Sequence, residues 1–118
     1  MTTTMTATVE PKVLSVQEAE QVLQTVHGAS RKGVEDGTRI HVHYTAFGKP
    51  SAEAVQHAQR ANDLGLPRDR YTGRVSRVWR SNAGDTLLTL WVELERDHMY
   101  RTLNVSKGTI HNIVVLGN

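Results

Sequence analysis

The sequence predicts an α+β fold: an amphipathic N-terminal helix, then a small antiparallel barrel of about five strands, with a second helix inserted between its first two strands. Three observations carry this expectation. A capping box precedes a stripe of apolar residues at helical spacing. The hydrophobic period then changes from about 3.6 to 2. Finally, the chain from Tyr71 onward divides into strand-sized pieces separated by turn signals, which is the spacing of a meander or small barrel.

The first helix is expected from Ser15-Val16-Gln17-Glu18, where a serine hydroxyl and a glutamate three residues later can cap each other's backbone amides. Val16, Ala19, Val22, Leu23 and Val26 share one face, and Gly28 or Gly33 stands near the stop, so the helix is read over 16–31. After Glu35-Asp36-Gly37 the alternation begins. Ile40, Val42, Tyr44 and Ala46 lie on one face of a strand, and Arg39, His41, His43 and Thr45 lie on the other. Gly48-Lys49-Pro50 ends it, Ser51 caps a helix over 51–65 with Ala54, Val55, Ala58 and Ala61 inward, and Gly65-Leu66-Pro67 closes that helix.

Four more strands are expected: Tyr71 to Arg80, Thr86 to Glu95, Tyr100 to Ser106 and Thr109 to Leu116. Ser81-Asn82-Ala83-Gly84-Asp85 and Arg96-Asp97-His98 are the intervening turns. In Thr86 to Glu95 the alternation is clean, with Leu88, Leu90, Val92 and Leu94 inward and Leu87, Thr89, Trp91 and Glu93 outward. Val75 and Val78 are three apart, and a β-bulge reconciles them. With 118 residues one core is expected, over residues 13–118, with the threonine-rich residues 1–12 read as a disordered tail.

The layout over residues 38–117 resembles an SH3-like or Sm-like barrel. It is carried by Tyr71-Thr72-Gly73-Arg74-Val75, by Leu88-Thr89-Leu90-Trp91-Val92, and by Tyr100-Arg101-Thr102-Leu103-Asn104-Val105 followed by Ile110, Ile113 and Val115. The closing stretch is similar to that of small actinobacterial and actinophage barrel proteins, some related to WYL-type regulatory domains. The Trp-Tyr-Leu triplet is missing here, so the resemblance implies the fold, and a phage origin, rather than ligand sensing.

Absence of cysteine excludes disulfides, Cys-ligated zinc and thiol nucleophiles, and a reducing cytoplasmic location suits such a chain. No basic segment followed by an apolar one opens the sequence, and no apolar run approaches the roughly 20 residues that cross a bilayer, so no membrane partner is expected. The formal charge of +2 permits attraction to polyanions. Serines 15, 51, 76, 81 and 106 have caps, turns or strand faces as sufficient explanations, and neither a Gly-x-Ser-x-Gly elbow nor a phosphate-cradling glycine loop occurs. The expected function is therefore non-enzymatic binding without a cofactor.

Three constellations define where binding could reside. Arg68, Arg70, Arg74, Arg77 and Arg80, with Trp79 interleaved, could grip phosphates and stack on unpaired bases, which makes nucleic acid the first expected partner. Glu93, Glu95 and Asp97 stand on the adjacent strand and turn, where they could neutralise those arginines across the hairpin. Leu87 and Trp91 form an outward pair that would serve a protein partner if left bare, although the first helix is expected to cover Trp91. His41 and His43 share a strand face at roughly 6 to 7 Å between Cα atoms. With His98 or His111 they are the weak metal candidates of a further alternative, a small metal-dependent enzyme, and no metal is assigned. His27 and His57 are read as helical surface residues, and the Tyr100 to Ser106 edge as open to homodimer pairing.

Overall fold

A computed structural model describes residues 13–28 and 36–117. The expected tail over 1–12 lies outside the described residues. The chain runs α1 (Val16–Leu23), β1 (Arg39–Thr45), α2 (Ala52–Asp63), β2 (Arg70–Arg80), β3 (Thr86–Leu94), β4 (Asp97–Asn104) and β5 (Thr109–Gly117). This is an α+β arrangement with one antiparallel sheet ordered β4-β3-β2-β1-β5. The sheet is open: among the described residues β4 and β5 are its two edges and do not pair with each other.

Each helix forms where its caps dictate. The Ser15 hydroxyl accepts from the Glu18 amide and the Glu18 carboxylate accepts from the Ser15 amide. α1 stops at Leu23, earlier than the spacing through Val26 suggested. Beyond it the His27 and Thr38 backbones bond each other, the Thr38 amide donating to the His27 carbonyl at 2.8 Å, and this contact draws the chain out of the helix. His27 is therefore not helical. In α2 the Ser51 hydroxyl accepts from the Ala54 amide, and Gly65 at φ +71° lets the Leu66 amide reach the Ala61 carbonyl. Its inward residues are His57 and Ala61, while Val55 is 54% exposed; the α2 face is rotated from the one expected, and His57 is buried rather than on the surface.

β1 and β3 follow their alternation, except that β1 ends at Thr45 and leaves Ala46, expected inward, exposed; the bulge falls where Val75 and Val78 required it, between Val75 and Arg77 in the β2–β3 register. β4 begins at Asp97 because the hairpin turn is Glu95-Arg96, with Glu95 at φ +48°. One face of the sheet carries Ile40, Val42, Tyr44, Tyr71, Val75, Leu88, Leu90, Val92, Leu94, Leu103 and Ile110, which join Ala19 and Leu23 of α1 in the core.

The helices also attend to the edges. Glu53 and Arg60 of α2 reach β4: the Thr102 amide donates to the Glu53 carboxylate at 3.3 Å, and Arg60 is paired with Asp97. The edge expected to be open is thus guarded by charge. On the other edge, the Leu14 amide donates to the Ile110 carbonyl at 2.9 Å as an isolated bridge.

β2 and β3 approach closely at Gly73, where an added Cβ would collide with the Trp91 carbonyl oxygen. Gly73→Ala should therefore lower unfolding stability by about 1–3 kcal/mol in urea titration, the range for overpacking. An unchanged midpoint would show that the strands do not sit this closely.

Candidate binding face on the sheet

The bulge decides which face the arginines occupy. In a regular strand, residues an even number apart share a side, so Arg70 and Arg74 would be separated from Arg77 and Trp79. Ser76 is the extra residue. It reverses the parity, so Arg77 pairs with outward Thr89 and Trp79 with outward Leu87. Arg70, Arg74, Arg77 and Trp79 consequently share the outer face of the sheet with Leu87 and Trp91.

Two predicted residues fall elsewhere. Arg80 pairs with inward Thr86, and its guanidinium lies 3.5 Å from the Glu20 carboxylate of α1. Arg68 lies beyond α2, where it donates to the Asn62 side-chain oxygen at 2.7 Å. The arginine set divides because strand parity and the α2 terminus, not sequence proximity, set each direction.

Register adds residues that the sequence did not single out. Trp91 pairs with Arg74 on one side and Tyr100 on the other, and Thr89 pairs with Arg77 and Thr102. Tyr100 is 49% exposed. The rings of Trp91 and His98 stack at 4.3 Å, and those of Trp91 and Tyr100 lie 6.4 Å apart. A pocket of about 250 Å³ beside Trp91 is lined by Arg74, Glu93 and His98, all strand residues. The first helix does not cover this tryptophan as expected; its stripe enters the core instead through Ala19 and Leu23.

The other tryptophan is fixed differently. The Trp79 indole N–H donates to Thr89 Oγ1 at 3.1 Å, and the Arg77 guanidinium lies 4.5 Å from the ring centroid, a cation–π distance. Trp79 also borders a groove of about 380 Å³ along α1, lined by Glu20, Leu23, Gln24, Val78, Arg80 and Thr86.

The acids do not neutralise the β2 arginines in the expected way. Glu93 takes a two-pronged contact from Arg39 of β1, at 2.9 Å from Nε and 2.8 Å from Nη2. That hydrogen bond holds the Glu93 carboxyl below the usual carboxylate range, against the opposing effect of burial. Asp97 is committed to Arg60 of α2. Arg74 donates to the Gly37 carbonyl at 3.0 Å and has Glu93 as a charged neighbour across the pocket rather than as an ion-pair partner, whereas Arg70 has Asp69 at 3.7 Å.

His43 and His111 come together, with His41 nearby, but not as a metal site. His43 Nε2 lies 2.7 Å from Asp69 Oδ2, its ring stacks on His111 at 4.2 Å, and His111 Nε2 lies 3.0 Å from Thr45 Oγ1. His41 Nδ1 is 2.6 Å from Thr72 Oγ1, and burial, with Arg70 and His43 nearby, pushes its pKa down. His98 is on β4, three strands away from β1. Among the described residues no group of three or more His, Cys, Asp or Glu side chains is placed to hold a metal ion.

In comparisons with known proteins, no family model matches the chain, and no curated protein or solved structure matches it.

Arg39→Ala should let the Glu93 carboxyl titrate at a higher pH, toward the usual range, as followed by carboxyl NMR. A group depressed in the folded state contributes stability above its unfolded pKa, which is lost as pH falls through the folded value. The wild type should therefore lose more stability than Arg39→Ala on acidification through that window. An unchanged Glu93 titration would show that Arg39 does not set it.

Proposed function

We propose that the outer face of the sheet binds single-stranded nucleic acid, with Arg70, Arg74 and Arg77 engaging phosphates and Trp91, Tyr100 and Trp79 offering rings to unpaired bases. The observation that carries this reading is the parity reversal at Ser76, which brings Arg77 and Trp79 onto the face that already holds Arg70, Arg74, Trp91 and Tyr100. Guanidinium forks match phosphate oxygens, and aromatic stacking accepts any base, so the combination favours backbone-led binding with little sequence preference. The strand order, with a four-residue turn between the edge strands, supports reading the sheet as an SH3-like or Sm-like barrel left open between β4 and β5.

A protein partner is the second reading, favoured by the exposed ring of Tyr100 beside Trp91. Fluorescence anisotropy with labelled single- and double-stranded DNA and RNA separates the two. Saturable binding to single strands, weakened by added salt, is expected. Arg74→Glu with Arg77→Glu should weaken it by about tenfold or more, since each lost phosphate contact also reverses a charge. Trp91→Ala should weaken it without changing the salt dependence. No binding at about 50 mM salt would end the nucleic-acid reading; the protein reading would then require a complex that Trp91→Ala weakens.

A further inference from the structure

The opposite side of the sheet holds a second polar group of residues that the binding face does not use. His57 of α2 is 1% exposed and Arg101 of β4 is 4% exposed. Between them lies Tyr71 of β2. The His57 ring stacks on it at 4.6 Å, and the Arg101 guanidinium stands 5.7 Å from its centroid. Among the described residues, the buried side-chain polar atoms without a hydrogen-bond partner are His57 Nδ1, His57 Nε2 and Arg101 Nε.

The surroundings explain how such a pair is tolerated. Arg101 donates through Nη1 to the Thr102 carbonyl. From β1, Tyr44 meets Tyr71 edge-on at 6.3 Å, and its hydroxyl is already committed to the Asn104 carbonyl. From α2 itself come Glu53, whose carboxylate accepts from the Thr102 amide, and Arg60, which is paired with Asp97 of β4. The charge that acts on the buried imidazole is the positive one on Arg101. A neutral imidazole can sit there as a flat ring against tyrosine. A protonated one would be a second cation beside a first, without a hydrogen-bond acceptor, in an almost fully buried site.

We propose that His57 is an acid-sensitive latch for α2: the neutral ring holds the helix against Tyr71 and over the β4 edge, and protonation releases the helix from the sheet. Burial, reinforced by Arg101, pushes the His57 pKa below its ordinary value. A histidine depressed in the folded state contributes stability above the unfolded value of about 6.5, and that contribution falls away as pH drops below it toward and past the folded value. Release would uncover the Thr102 amide and the β4 edge, the strand that also presents Tyr100 on the other face. The latch stands independently of what the outer face binds.

The test is amide hydrogen exchange on the full chain between about pH 7.5 and pH 5, corrected for the intrinsic pH dependence of exchange. The amides of residues 52–63 should lose about tenfold or more protection relative to those of β2 and β3 as pH falls. In His57→Phe, which keeps a flat ring on Tyr71 but cannot take a proton, α2 protection should stay level across the range. Flat protection in the wild type would overturn the latch, as would the same loss in His57→Phe, which would assign it to other groups. If His57→Phe does not fold, NMR titration of the wild-type imidazole decides. Loss of α2 amide protection in step with protonation of that imidazole supports the latch, and loss at a separate pH overturns it.

Discussion

Four residues, Val105 to Gly108, carry the chain from one edge strand of the sheet to the other, and the rest of the structure follows from that short span. Edge strands separated by three others would lie about 19 Å apart in a flat sheet. The turn joins their ends directly, the Gly108 amide donating to the Asn104 carbonyl at 2.8 Å. The sheet must therefore curl until the end of β4 meets the start of β5. Tyr44 secures the corner: its hydroxyl donates to the Asn104 carbonyl, and a Cβ at Gly108 would collide with its ring. Curling turns the inner face on itself, which is why five strands and two short helices suffice to bury the core.

The same curl determines what remains on the outside. α1 and α2 attend to the edges and the inner face, through Ala19, Leu23, His57 and Ala61. The outer face then presents a row running Arg39, Arg74, Trp91 and Tyr100 across four strands. Its side chains are held by one another, Glu93 by Arg39, Trp79 by Thr89, Trp91 by His98. Held in this way, rings and guanidinium groups lose less freedom on binding than free side chains would, and this lowers the entropic cost of association.

Much of the fold was legible because local chemistry and the tertiary outcome agree. The capping box at Ser15, the cap at Ser51, the glycine stop at Gly65 and the parity of β1 and β3 appear in the structure as expected. The bulge was legible too, since only one extra residue could place Val75 and Val78 on the same side. What failed depended on contacts distant in sequence. The end of α1 is set by Thr38, the partner of Glu93 is Arg39, 54 positions away, and Trp91 is flanked by a β4 residue whose register rests on a turn one residue earlier than expected. His57 was missed for a different reason. A histidine among alanines on a helix reads as polar surface, and nothing local reveals the tyrosine face that receives it.

The pairing of β1 with β5 has a consequence for how the chain reaches this state. Val42 lies opposite Ile113, so β1 completes its second ladder only when the last segment arrives. Closing a loop of about seventy residues is entropically costly, and contacts of such sequence separation form late and slow folding. The hairpins β2–β3 and β3–β4 are local and can assemble first. On a ribosome, where synthesis proceeds from the N-terminus, Ile40 and Val42 would emerge long before their β5 partners and wait with one edge unpaired. β1, an interior strand of the finished sheet, is thus left open to misassociation along that edge until the end of synthesis.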